Sequence, residues 1–233
     1  LHGVREDLPE KVLFALAGSG VTGVGMRSPI YPDMMAEAAD RADVRTLAFA
    51  GVIALAPTRP APYNVPIAGL KCDDLAALLH IFFPGCDQDS FHVSTDDTAL
   101  APRSDEFLDL VELLMSHCSC EPRTGKWVAH AIATASMGQN HLWQDMGLPH
   151  RGALNELIRS SFASLHALNS GDMKWKKFFY RQLCERAGIL ICKSPSCGAC
   201  IDHRVCFGPE DGAVAPVLAC TPAANASVAE NPR

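Results

Sequence analysis

No run of 18 apolar residues occurs in this 233-residue chain; the longest candidate, residues 46–56, is too short to cross a bilayer as a helix. Positive charge is scarce as well. Lysine and arginine number 20 against 26 aspartates and glutamates, a formal net charge of −6, which argues against general nucleic-acid binding, since that requires a basic surface. The apolar stretch 12–17 lacks a positive flank, because Arg5 and Lys11 are mixed with Glu6, Asp7 and Glu10. Export is therefore not expected, and the chain reads as cytoplasmic. Strand-like alternation of useful length is missing, as are a Ser/His/Asp set, paired catalytic carboxylates and a phosphate loop. Gly18, Gly20 and Gly23 match a dinucleotide-binding spacing. Pro29 and Pro32 would break the helix that motif needs, so a turn or flexible segment is the better reading.

Helical periodicity is abundant. With 48% hydrophobic and 20% charged residues, the chain has the composition of a folded domain. Val44, Leu47, Ala48, Gly51, Val52 and Leu55 recur on one helical face up to Pro57, and Leu75, Leu78, Leu79 and Phe82 repeat the pattern before Pro84-Gly85. Residues 84–103 read as a polar loop. Ser104 is the expected N-cap of a helix bearing Phe107, Leu110, Val111 and Leu114. An alanine-rich helix is predicted over 127–137, ending at Gly138. Leu154, Leu157, Ile158 and Leu165 mark one more, and a last one runs from near Asp172 through Trp175, Phe178, Phe179 and Leu183 to Gly188. The expectation is an all-α single domain of six or seven helices with no internal repeat, over residues 33–208. Residues 1–32 are poorly specified, and the small, polar residues 209–233 read as a disordered tail.

Cysteine is the residue present in excess. Six of the ten cysteines follow position 183. Without an export signal they point to metal or redox chemistry rather than disulfides. Cys192, Cys197, Cys200 and Cys206 form a C-x4-C-x2-C-x5-C run, predicted to be an irregular metal-binding loop. Structural zinc favours two tight knuckles, and only Cys197 and Cys200 make one. The looser outer arms, with Pro195 and Gly198 to turn the backbone, suit a larger iron–sulfur cluster better. Spacing alone leaves zinc and iron–sulfur both open.

Ahead of this loop lie Asn140-His-Leu-Trp-Gln-Asp-Met-Gly-Leu148 and Asp172-Met-Lys-Trp-Lys-Lys-Phe-Phe-Tyr-Arg-Gln-Leu-Cys-Glu-Arg186. With the cysteine run and its following Phe207-Gly208, these segments resemble the NifQ family of nitrogen-fixation proteins, strongly over residues 125–208. The resemblance implies a molybdenum carrier rather than an enzyme. Such a carrier holds a molybdenum–iron–sulfur cluster on Cys192, Cys197, Cys200 and Cys206. It takes molybdate as metal source and donates molybdenum for the nitrogenase iron–molybdenum cofactor, through the cofactor assembly scaffold and the nitrogenase iron protein. The alternatives are a zinc-stabilised interaction module and an iron–sulfur electron-transfer protein.

Several other residues have functional and structural readings side by side. Lys174, Lys176, Lys177, Arg181 and Arg186 make a solvated helix face or a patch that attracts molybdate or an acidic partner. His203, inside the loop, and His141 are additional candidate metal ligands; His203 is otherwise a donor to a sulfide or a surface residue, and His141 is equally an N-cap or a buried hydrogen-bonding residue. His130 reads as a satisfied packing residue and Cys184 as a buried small hydrophobe. The Cys118/Cys120 pair reads as incidental, and Cys72, Cys86 and Cys220 have no context in the sequence.

Overall fold

The structure, a computed structural model, describes residues 31–86, 104–188, 197–200 and 203–210. The glycine motif at 18–23, most of the loop before Ser104, Cys192, Cys220 and residues 211–233 lie outside the described residues. Among the described residues there are ten α-helices and no strand. They are α1 (Tyr31–Ala36), α2 (Val44–Ala54), α3 (Cys72–Phe82), α4 (Asp105–Ser116), α5 (Pro122–Ser136), α6 (Leu142–Asp145), α7 (Arg151–Ser161), α8 (Ala163–Leu168), α9 (Trp175–Arg186) and α10 (His203–Phe207). The all-α expectation holds. The count exceeds six or seven because four short helices of four to six residues join the six longer ones, and such elements are too brief to show a periodic stripe.

Helix α5 is the centre. Trp127, Val128, Ala129, Ala131, Ile132, Ala133 and Ala135 are all buried, and α2, α3, α4 and α6 pack around it. Alanine on several faces lets neighbouring backbones come close, while Trp127 and Ile132 fill the gaps; each large side chain buried contributes about 1.5–3 kcal/mol. The helix begins five residues before the predicted start. Pro122 occupies the first turn, and the Glu121 carboxylate accepts from the Arg123 and Thr124 amides at 2.9 and 2.7 Å. Those two hydrogen bonds hold the Glu121 carboxyl below the usual carboxylate range. Proline at the first helical position after an acceptor was a start signal available in the sequence.

Other boundaries also differ. Ser104 stands at the N-cap of α4, but its side chain makes no capping hydrogen bond. The stripe from Leu154 to Leu165 is broken at Phe162, so α7 and α8 are separate helices. The last long helix starts at Trp175 rather than near Asp172. Asp172 adopts a positive φ of 53°, and the buried Asn169 side chain exchanges hydrogen bonds of 2.9 Å with both backbone groups of Met173. That bracket satisfies the peptide without helix. At the other end, Gly188 takes the left-handed conformation (φ 67°) that closes α9.

Two buried polar side chains tie the interior together, although Arg59 Nε, Thr46 Oγ1, Trp143 Nε1 and Arg151 Nε are buried without a hydrogen-bond partner. Thr134 Oγ1 accepts from the Ala68 amide at 3.0 Å and donates to the His130 carbonyl at 2.7 Å. Arg59, 8% exposed, donates from Nη1 to the Tyr63 and Val65 carbonyls, each at 3.1 Å, and from Nη2 to the Val52 carbonyl. Burial lowers its pKa to about 10. The arginine thereby staples the loop after α2, which contains the cis Ala61–Pro62 peptide, to the body of that helix.

Candidate metal centre

Helix α9 carries the cysteine segment. Trp175, Phe178 and Phe179 are buried, as the stripe predicts. Trp175 packs edge-on against Phe178 and fixes its ring with a 2.7 Å hydrogen bond from Nε1 to Asn155 Oδ1 on α7. The described part of the segment that follows is fastened to this anchored helix and its N-cap at two points. The Lys174 amide, just before α9, donates to the Cys206 carbonyl at 2.8 Å. One guanidinium nitrogen of Arg181, Nη1, donates to Cys197 Sγ at 3.5 Å. Arg181 also pairs with Glu185 at 2.7 Å, which with the Cys197 sulfur raises its pKa further.

Cys197 opens a 3-10 turn, Cys197–Ala199. The Cys200 amide then bonds to the Cys197 carbonyl and the His203 amide to the Cys200 carbonyl. Cys206 lies in α10. The predicted irregular loop thus contains two short helical turns where it is described. Cys197, Cys200 and Cys206 are half-buried free thiols, and Cys197 and Cys206 pack against the core. Cys192, the remaining residue of the predicted set, lies outside the described residues. Among the described residues, no three His, Cys, Asp or Glu side chains converge closely enough to hold a metal ion. The donor chemistry nevertheless suits a soft metal: unpaired sulfurs, and a cation beside one of them that would offset thiolate charge.

His203 is exposed and stacks on Phe207, with ring centroids 4.5 Å apart and planes within 18°. His141 is the N-cap residue of α6, its amide donating to Gln144 Oε1 at 3.1 Å. Its Nδ1 is 3.7 Å from Glu210 Oε1. The structure does not bring either histidine into a ligand set with the described cysteines.

What the sequence did not reveal is a cavity of about 450 Å³ beside this segment. Gln139, Asn140, His141 and Gln144 form one wall, and Lys174, Lys176 and Lys177 a second. Val205 and Glu210 close it from the C-terminal side. Glu210, assigned from sequence to a disordered tail, is anchored here: its side chain is 6% exposed and lies 3.4 Å from Arg151 Nη1. The basic segment divides. Lys176 is bound to Asp145, Arg181 to Glu185 and Cys197, and Arg186 to Ser116 Oγ.

The remaining cysteines behave differently from one another. Cys184 is half-exposed, not buried, because the core side of α9 is already occupied by its aromatics. Cys118 and Cys120, between α4 and α5, place their sulfurs 4.0 Å apart. Burial and the neighbouring Cys118 push the Cys120 thiol pKa up, and burial does the same at Cys86. His130 fills the packing role expected of it, 8% exposed with Nδ1 2.9 Å from the Ala68 carbonyl.

The NifQ family model matches residues 48–208, so the chain belongs to the NifQ family, a family of nitrogen-fixation proteins. It is 42% identical over 111 residues to Protein NifQ of Azotobacter vinelandii, covering 48% of this chain and 57% of that protein. Against Protein NifQ of Rhodobacter capsulatus identity is 35% over 142 residues, covering 61% and 76%. Against that of Klebsiella pneumoniae it is 47% over 81 residues, covering 34% and 48%. The chain spans little more than half the length of the Azotobacter protein. No solved structure matches it. No helix among the described residues is long and apolar enough to cross a membrane.

Proposed function

We propose that this protein is a molybdenum carrier for nitrogen fixation. Cys192, Cys197, Cys200 and Cys206 hold an iron–sulfur cluster that takes up molybdenum as cargo, and the protein donates that molybdenum for biosynthesis of the nitrogenase iron–molybdenum cofactor. It acts in the cytoplasm and is not an enzyme. Its partners are the cofactor assembly scaffold and the nitrogenase iron protein, and molybdate is its metal source.

The observation that carries this reading is the anchoring of the cysteine segment. Three of the four motif cysteines are half-buried free thiols, and two of them are tied to the rigid aromatic helix α9 and its N-cap through Arg181–Cys197 and Lys174–Cys206. Thiolate and sulfide are soft donors that hold iron and reduced molybdenum, whereas molybdate is an oxyanion. A carrier needs some ligands fixed and one metal corner exchangeable. Half-burial provides both, since it shields a cluster and leaves it within reach of a partner.

The test is metal analysis with electron paramagnetic resonance on protein purified without air from molybdate-supplied, nitrogen-fixing cells. Iron and molybdenum together, both lost in the Cys197→Ala/Cys200→Ala variant, are the expected result. Zinc alone would leave an interaction module, and iron and sulfide without molybdenum would leave an electron-transfer protein.

A further inference from the structure

We propose that the cavity between the α5–α6 corner, the start of α9 and Glu210 is a receiving site for a tetrahedral oxyanion dianion, from which the anion passes to the adjoining cysteine segment. The naming of that anion as molybdate rests on the carrier reading above; the pocket's preference for a dianion does not.

The charges in the cavity do not cancel. Lys176 is committed to Asp145 at 2.6 Å and to the Gly138 carbonyl at 2.8 Å. The Glu210 carboxylate lies 3.4 Å from Arg151, a guanidinium it shares with Asp172 at 2.8 Å, and 3.7 Å from His141 Nδ1. Among the described residues, Lys174 and Lys177 have no carboxylate within 4.0 Å of their ammonium groups, the distance that defines an ion pair. Two ammonium groups with no contacting carboxylate therefore border a concave site that also holds the Glu210 carboxylate, a local excess of positive charge on a chain whose formal net charge is −6. A doubly charged anion balances two ammoniums, and hydrogen bonds to charged donors are the stronger kind. Gln139 adds a carboxamide to the wall.

The backbone favours the same sign. The first turn of α9, a helix of 12 residues, borders the cavity through Lys176 and Lys177, and its unpaired amides carry the positive end of the helix dipole. Position supplies the link to the metal. Val205 lines the cavity next to Cys206 in sequence, and the Cys206 carbonyl is bonded to the Lys174 amide. An anion held by Lys174 is thus attached to the peptide that fixes a proposed cluster ligand. The internal pairs Lys176–Asp145 and Glu210–Arg151 stiffen the walls, so the two remaining lysines act on a preformed site.

The experiment is equilibrium dialysis of sodium molybdate against the full chain, freed of metal and kept without air, iron or sulfide so that no cluster forms. Saturable binding is expected, weakened at least tenfold in Lys174→Gln/Lys177→Gln. It should be restored by Lys174→Arg/Lys177→Arg and unaffected by Lys71→Gln, an exposed control. Circular dichroism and a thermal melt establish that each variant is folded. Sulfate should compete, as another tetrahedral dianion, whereas chloride at equal ionic strength should not. No saturable binding, or equal binding by the folded glutamine variant, overturns the proposal; phosphate binding tighter than molybdate overturns the assignment to molybdate. Metal analysis separates the two readings. Molybdenum in the cluster without pocket binding removes only the pocket, and pocket binding without molybdenum in the cluster removes only the carrier.

Discussion

Lys176 Nζ lies 2.6 Å from Asp145 Oδ2, bridging the first turn of α9 to the end of α6. The same carboxylate accepts from the Asn140 amide and side chain at 3.0 and 2.9 Å. The pair is largely shielded, with side chains 19% and 10% exposed, so truncating the lysine strands a charge. Lys176→Met is expected to cost about 3 kcal/mol, read as a lower urea midpoint. A loss below about 1 kcal/mol would mean the pair behaves as a surface salt bridge.

Gly51 is the second point of contact on which the fold depends. A Cβ there would sit 2.2 Å from the Met146 carbonyl oxygen and 2.9 Å from the Gly147 Cα, both backbone atoms that cannot swing aside. Alanine would add about 1 kcal/mol of helix propensity. The clash with backbone outweighs it, and Gly51→Ala is expected to lower stability by about 1–3 kcal/mol net. An unchanged or higher melting temperature would contradict the close approach of α2 to the end of α6.

Burial holds the His130 pKa below its ordinary 6.5, more strongly than the Ala68 hydrogen bond raises it. The folded state therefore binds this proton less readily than the unfolded chain. Its contribution to stability is complete above pH 6.5 and is lost as pH falls from there through the lowered folded value. His117 shifts the same way, through burial and then Arg186. Urea midpoints should fall between neutral and mildly acid pH, and His130→Asn should flatten part of that slope. An identical slope in the variant would refute the assignment.

Arg181 touches Cys197 through its guanidinium. If that sulfur ligates a cluster, the cation stabilises the reduced, more negative state. Arg181→Gln is therefore expected to lower the cluster's reduction potential in a voltammetric titration while leaving iron content unchanged. A potential that does not move would place Arg181 outside the cluster's electrostatic field.

How legible was all this? The stripes Leu75–Leu78–Leu79–Phe82 and Phe107–Leu110–Leu114 are buried as their spacing requires, because a helix has one period and one apolar face. Boundaries were less legible. Asn169 and Asp172 stop the chain from entering α9 early through side-chain bonds and a positive φ, which no count of apolar positions contains. The cysteine spacing singled out Cys197, Cys200 and Cys206, yet nothing in it indicated that Lys174 and Arg181 fasten two of them. Those contacts depend on how the chain folds back after α9.

The sequence by itself determined the helical class, the apolar faces and the four-cysteine run with its family likeness, because periodicity, capping chemistry and residue type are local properties. The tertiary structure decided which of the clustered cations are spent on carboxylates and which border an open cavity. Lys174, Lys176 and Lys177 are near neighbours in sequence, but what pairs with them is set elsewhere in the chain: Asp145 takes Lys176, while Glu210 faces Arg151, which it shares with Asp172. Direct ion pairing needs contact within about 4 Å and exposed charges are screened beyond roughly 8–10 Å, and only packing sets distances on that scale between residues so far apart in the chain.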